Sequence, residues 1–305
     1  MRIAHSKEVC MFKKLKALYE LTRIDHAVML SVAVMIGEIV AIGSRFPDAL
    51  AVIGFGTLLT SMATAFFIEI GSFALNDYAD VETDKINKRM DRPLARGDLS
   101  RKTALYLSVF GFLFGLVSSL FLPMQCIIIA FLFSALSVVY NYKLKDMPLA
   151  GNAYIATTMA IPFIFGNFAV IETLSSKILV LSAIAFFVGL GREIAKTMED
   201  VEGDRLARGA VTLPMVIGVE RTAYLCSIIY MVAVILSFLP HFLFNFGLMY
   251  LIPIAVADML LIYCMVVIPL DHSISSLHRC RVVSLVALAV GLLGFLLGGI
   301  EWALV

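Results

Sequence analysis

Charge is scarce in this sequence. Asp, Glu, Lys and Arg make up 15% of its 305 residues, where a soluble domain carries about a quarter. With 61% hydrophobic residues and a mean hydropathy of +0.95, that shortage argues against an ordinary soluble domain. The five cysteines, Cys10, Cys126, Cys226, Cys264 and Cys280, are scattered and form no CxxC pair. Neither a disulfide framework nor a thiolate metal site follows from them. His5, His26, His241, His272 and His278 share no helical face within a turn, so the histidines offer no metal-ligand spacing. The net charge of +1 leaves no basic field to hold a nucleic acid. The first 25 residues are too charged for the apolar stretch of a signal peptide.

Long apolar runs are what the sequence has instead. Nine approach the roughly 20 residues that a membrane span needs, at about 26–43, 49–75, 103–121, 124–140, 149–168, 178–195, 221–239, 247–269 and 282–303. They predict an all-α, polytopic membrane protein, one domain over residues 1–305. Residues 1–25 lead into it. Phe12, Leu15, Leu18, Tyr19 and Thr22 recur at helical spacing beside Lys13, Lys14 and Lys16, the pattern of an amphipathic helix on a membrane surface. Residues 1–10 read as a disordered basic lead-in, and Met11 is a second plausible start of the natural chain.

Loop charge orients the spans. With the N-terminus in the cytoplasm, all of the 24 Lys and Arg except Arg45 and Lys177 fall on the cytoplasmic side, as the positive-inside rule requires. The expected location is the cell membrane, with residues 1–25 and two acidic segments, 76–102 and 192–218, as polar cytoplasmic caps.

Those segments carry the chemistry. Asn76, Asp80 and Asp84 are spaced by four, so on a helix they span about 80° of one face. Lys196, Asp200 and Asp204 repeat the spacing 120 residues later. Oxygen ligands of this kind suit Mg²⁺, which takes one or two carboxylates and completes its shell with water and phosphate. Acids crowded this closely repel one another unless a cation intervenes. Two facing clusters have the donors for two or more Mg²⁺, with positions left for a diphosphate. Lys196 shares the face of Asp200 and Asp204, which sets it apart from the general basic background. Glu38, Glu69 and Asp258 fall inside spans, where an ionisable group points by default to a cavity or a partner. Glu69 sits on nearly the face of Asn76; Glu38 reads as a protonated structural group.

Asn76-Asp77-x-x-Asp80-x-x-x-Asp84 resembles the first aspartate-rich motif of the UbiA superfamily of intramembrane prenyltransferases. Asn87 to Gly97, containing Arg92-Pro93-Leu94, resembles the stretch that follows it. Tyr140-Asn141-Tyr142-Lys143 is similar to the segment after the fourth helix. Arg192-Glu193-Ile194-x-Lys196-x-x-Glu199-Asp200-x-Glu202-Gly203-Asp204, followed by Thr212-Leu213-Pro214, resembles the second motif. The resemblance covers most of the chain. It implies nine transmembrane helices around a central cavity and transfer of a polyprenyl group from its diphosphate to an acceptor. It implies that Asn76, Asp80, Asp84, Asp200 and Asp204 bind Mg²⁺, and the four aspartates with Lys196 become the expected catalytic residues. Arg92, Lys143 and Lys196 are the expected contacts to diphosphate oxygens, with Arg23 and Arg205 as further cations if the acceptor carries a phosphate.

The second motif is most similar to the archaeal branch that joins geranylgeranyl diphosphate to geranylgeranylglyceryl phosphate in ether-lipid synthesis, although Ala195 and Met198 depart from it. Transfer to an aromatic acceptor of quinone synthesis, 4-hydroxybenzoate or a naphthoate, stays open beside it. The expected partners are a prenyl diphosphate, the acceptor and membrane lipids, with no nucleic acid and no obligate protein. A secondary transporter of an anionic lipid is the rival from another class, but its acids belong near the bilayer midplane, whereas here they gather at one membrane boundary.

Overall fold

The computed structural model describes residues 2–43, 48–86 and 89–302. Arg45 and Asn87 lie outside them, and the side chains of His5, Cys10 and Arg208 lie outside those described. Among the described residues there are fifteen α-helices and no strand, and nine helical segments are long and apolar enough to cross a membrane.

The amphipathic lead-in is α1 (Arg2–Thr22). Residues 2–10 belong to this helix and do not form the disordered segment expected of them. Once the amphipathic part is helical, extending it adds one bond for each residue fixed. Met11, Phe12, Leu15 and Tyr19 of α1 are exposed, an apolar face with no cover from the protein. The first span is α2 (Ile24–Ile42), joined to α1 through Arg23 in the left-handed region at φ 44°.

The second span is not the continuous run of 49–75. A short α3 (Asp48–Ile53) ends at Gly54, which takes φ 76°, and α4 (Phe55–Ile86) starts beyond it. Helix α4 has 32 residues and is therefore about 48 Å long, well beyond the ~30 Å of a bilayer core. Its last three turns carry the first acidic motif out of the apolar zone as helix. After α5 (Pro93–Arg96) come α6 (Arg101–Ser119), α7 (Met124–Tyr142), α8 (Ala150–Val170) and α9 (Ser176–Glu199). Four spans after α4, α9 emerges at the same end and delivers the second motif. Then follow α10 (Val201–Arg208), α11 (Leu213–Ile217), α12 (Val219–Ser237), α13 (Leu239–Phe244), α14 (Leu248–Leu270) and α15 (Ile274–Trp302).

The spans pack as a ring. Helix α2 lies against α4 and α8, α8 against α9, α9 against α12, α12 against α14, and α14 against α15, which returns to α9 and α2. Helix α7 fills the flank between α4 and α8. Helix α6 stands outside the ring behind α4, and none of its residues lines the central cavity. Glycine makes that contact close: a Cβ on Gly111 of α6 would lie 2.6 Å from the backbone of Gly71 and Phe67 on α4. The largest core cluster joins α9, α12, α14 and α15 through Ile194, Tyr230, Tyr250 and Phe295. Many large apolar side chains on the outer faces, such as Phe110, Leu113 and Phe131, are exposed. In a spanning bundle that belt is lipid contact.

Two contacts hold the end of α9. Glu199 meets His278 Nδ1 at 2.9 Å and Arg281 Nε at 3.2 Å, both from α15. The start of α15 is held by Asp271, which accepts from Ser273 N at 2.9 Å and from Ser276 Oγ. Those hydrogen bonds, Ser276 first, hold the Asp271 carboxyl down to about 2.

Candidate active site

One face of α4 carries a polar stripe. Glu69, Ser72, Asn76, Asp80, Thr83 and Asp84 all line a single cavity of about 380 Å³, because steps of three and four residues stay on one helical face. Lys196, Asp200 and Asp204 line the same cavity from the side of α9 and α10. Asp200 sits between those helices at φ −94°, ψ 4°. The register nevertheless persists, since Asp200 N donates to Lys196 O at 3.0 Å and Asp204 N to Asp200 O at 2.9 Å. Fourfold spacing survives a change of helix axis here.

Asn76 is aimed by its neighbours. Its Nδ2 donates to Asp80 Oδ2 at 3.1 Å and to Asn141 Oδ1 at 2.9 Å. Asn141 is itself oriented by donating to Ser137 O at 2.9 Å. With both amide hydrogens used, Asn76 presents its Oδ1. Asp80 Oδ1 is paired with the Lys145 ammonium.

The lysine at this point differs from expectation. Lys143 is exposed and does not line the cavity, while Lys145 does. Helix α7 ends at Tyr142, Lys143 takes φ −145°, ψ −53°, and a 3-10 turn over Leu144–Asp146 carries Lys145 inward. Lys196 lies in the wall as expected; it is 38% exposed and 3.7 Å from Glu193 Oε2. Arg205 is exposed and away from the cavity.

Arg23 and Arg92 reach the cavity wall, but each is also engaged by an acid that sequence reasoning left without a role. Asp77 is 1% exposed and accepts from Arg92 Nη1 at 2.9 Å and from Arg23 Nη2 at 3.2 Å. The residue after Asn76 is turned about 100° from it, so Asp77 faces the seam between α1, α4 and α5. Pro93 begins α5, Leu94 is buried against Leu21, Val81 and Ala104, and Arg92 is thereby turned onto Asp77. Arg23 also covers the Phe73 ring at 4.3 Å.

Arg89, Asn141, Arg192 and Glu193 complete the mouth. Arg192 Nη1 donates to Glu193 Oε1 at 2.6 Å. Asn141, Arg192 and Glu193 lie within the motif-like stretches, so their place near the acids had a sequence signal. Arg89 also lies within such a stretch, Asn87 to Gly97, but nothing there sets it apart from Arg92 and Arg96.

Below the mouth the wall is apolar and aromatic. Phe73, Tyr140, Tyr154, Phe163 and Phe295 line it, and Tyr140 stacks on Tyr154 with centroids 4.9 Å apart. Asp258 lines the deep end and accepts from Ser237 Oγ at 2.8 Å. Glu38 is fully buried and lies outside the cavity wall.

Among the described residues, no group of three His, Cys, Asp or Glu is placed to hold a metal ion unaided. Mg²⁺ asks for less, because it keeps waters and binds through one or two carboxylates together with substrate phosphate. The presented Asn76 Oδ1, with Asp80 and Asp84 on one wall and Asp200 and Asp204 on the other, is an all-oxygen donor set of that kind. The residues fit a phosphate-bridged Mg²⁺ and do not form a closed protein cage.

Residues 30–279 match the UbiA prenyltransferase family. The chain is 42% identical over 287 residues to the digeranylgeranylglyceryl phosphate synthase of Archaeoglobus fulgidus, covering 93% of this chain and 95% of that one. A solved structure described as digeranylgeranylglyceryl phosphate synthase in membranes superposes with a TM-score of 0.74 at 30% identity, over 94% of this chain and 99% of that one. Another solved structure, a UbiA homologue from A. fulgidus bound to DMAPP and Mg²⁺, shares the fold with a TM-score of 0.60 at 18% identity, over 90% of this chain and 97% of that one. The chain belongs to the UbiA prenyltransferase family.

Proposed function

From that membership, we propose that this multi-pass membrane prenyltransferase uses Mg²⁺ to move a geranylgeranyl group from its diphosphate to the free hydroxyl of geranylgeranylglyceryl phosphate. The observation that carries the reading is the one-sided cavity, with two facing acidic stripes and several cations at its mouth and aromatic rings below. Sequence identity over nearly the full length of an archaeal synthase supports the glyceryl acceptor. The proposed setting is the cell membrane, with the N-terminus and the acidic mouth facing the cytoplasm.

Asn76, Asp80, Asp84, Asp200 and Asp204 are the proposed metal ligands. When bound, Mg²⁺ supplies charge neutralisation to the leaving diphosphate. Lys145 and Lys196 add fixed cations where negative charge develops, which acts on the barrier itself. Asp77 holds Arg23 and Arg92 at the cavity wall. The rings of Phe73, Tyr140 and Tyr154 exclude water and present π faces to the allylic cation.

Lys145 takes the role expected of Lys143. Lys145→Ala raises KM for the prenyl diphosphate about tenfold, the scale of one lost charge-assisted hydrogen bond. Lys143→Ala stays within about twofold by the same reasoning, since an exposed lysine forfeits no such bond. Equal KM values for the two variants would return Lys145 to the basic background. The acceptor is tested by incubating purified protein with Mg²⁺ and labelled geranylgeranyl diphosphate, offering geranylgeranylglyceryl phosphate and 4-hydroxybenzoate in turn. Product from the glyceryl phosphate alone is the expected result, and product from the aromatic acid alone overturns it.

A further inference from the structure

Glu69 is the deepest acid on the α4 stripe, and the reaction set out above does not use it. Seven residues before Asn76, it lies on the same face about 10 Å further into the membrane. Among the described residues no hydrogen bond or ion pair engages it; the Arg23 guanidinium is the charge that acts on it. A carboxyl group without a partner inside a membrane span costs stability, so structure alone gives no reason for it. Asp258 contrasts with it, being held by Ser237.

Its position is also particular. Glu69 borders two spaces at once, the main cavity and a smaller apolar groove between α2, α4, α7 and α8. The two meet at Leu30, Glu69, Ser72, Tyr154 and Thr158, and Glu69 is the one acid among the described residues bordering the groove. An apolar chain lying in the groove therefore brings its polar end to Glu69, beneath the mouth where the diphosphate is bound.

The proposed reaction needs a base at that place. As the glycerol oxygen forms its bond to C1 of the geranylgeranyl group, the C1–O bond to the diphosphate breaks and the diphosphate departs with the electron pair. The attacking hydroxyl must release its proton, and an aromatic, water-poor wall offers little water to take it. We propose that Glu69 is the proton acceptor for the glycerol hydroxyl, the alkoxy oxygen keeping the O–H electrons as the ether bond forms. This rests on the glyceryl acceptor proposed above.

Glu69 shares the cavity with other ionisable groups, so its pH limb is told from theirs by comparing the Glu69→Gln and Glu69→Asp profiles. The other charged or titratable groups of the cavity wall are Arg23, His26 of α2, Asp80 and Asp84 of α4, Arg89 and Arg92 before α5, Tyr140 of α7, Lys145 after it, Tyr154 of α8, Arg192, Glu193 and Lys196 of α9, Asp200 and Asp204 at α10, and Asp258 of α14, while α6 contributes none. His26 is already engaged with Asp25 at 3.0 Å.

The test uses the full-length protein in detergent with Mg²⁺, geranylgeranyl diphosphate and geranylgeranylglyceryl phosphate. Glu69→Gln keeps the shape and removes the base, and kcat is expected to fall about a hundredfold, as for loss of a general base. Donor binding, measured without acceptor, stays within about twofold of wild type, which also reports that the variant is folded. Wild-type kcat declines towards low pH as the carboxylate is protonated; that limb is absent in Glu69→Gln and returns in Glu69→Asp. Wild-type kcat and pH profile in Glu69→Gln, with wild-type protein active on the glyceryl phosphate, overturn the base alone and leave the departing diphosphate to take the proton. A wild-type protein that acts only on 4-hydroxybenzoate overturns the acceptor and the base together.

Discussion

Asp80→Ala and Asp204→Ala each lower Mg²⁺-dependent turnover by about a thousandfold or more, equivalent to about 4 kcal/mol of barrier. The two acids belong to different elements, α4 and α10, yet line one cavity. Losing either leaves the diphosphate charge compensated from one side only. Asp80 has a second task, because its Oδ1 holds the Lys145 ammonium and its Oδ2 receives Asn76. Asp80→Ala therefore disturbs an acid, an amide and a cation together, and raising Mg²⁺ does not restore its rate. The measurement is single-turnover product formation over an Mg²⁺ titration, with thermal unfolding in the same detergent as the folding control. Wild-type turnover in either variant would mean that the two stripes do not share one metal–diphosphate site.

The adjacent acid behaves differently. Asp77→Ala lowers stability by about 3 kcal/mol, the cost of removing one partner from a buried ion pair. Asp77 is 1% exposed, and the side chains of Arg92 and Arg23 are 17% and 23% exposed, so two guanidinium groups lose a shared counter-charge. The seam they hold joins the Arg23 junction before α2 to the segment leading into α5, and its loosening also weakens substrate binding. Arg92→Ala in the Asp77→Ala background recovers part of the stability, because directly contacting residues couple. Thermal unfolding of the two single variants and the double variant measures this. An Asp77→Ala protein as stable as wild type removes Asp77 from its positioning role.

Asp77 shows where sequence reasoning stops. Its partners lie 54 and 15 residues away, and the local pattern makes it merely the neighbour of Asn76. Lys143 and Lys145 show the same limit at shorter range. Two lysines bracket one residue at a helix end, and the φ and ψ of Lys143 with the turn after it decide which one enters the cavity. The break at Gly54 and the helical course of residues 2–10 were missed because apolar content says where a segment lies more readily than where its backbone turns. By contrast, the register of Asn76, Asp80 and Asp84, and of Lys196, Asp200 and Asp204, was legible because fourfold spacing needs no distant partner.

The sequence by itself determined the membrane, the number of spans and the end of the bundle where the acids gather. Those follow from apolar run length, loop charge and helical spacing, which depend on residues close together in the chain. Tertiary structure decided which cation meets Asp80, which acid holds Arg23 and Arg92, and which rings line the cavity. Of the 22 Phe and 10 Tyr, Phe73, Tyr140, Tyr154, Phe163 and Phe295 face it. An aromatic residue satisfies lipid, core and cavity equally well, and only the packing of α2, α4, α7, α8 and α15 around it selects among the three.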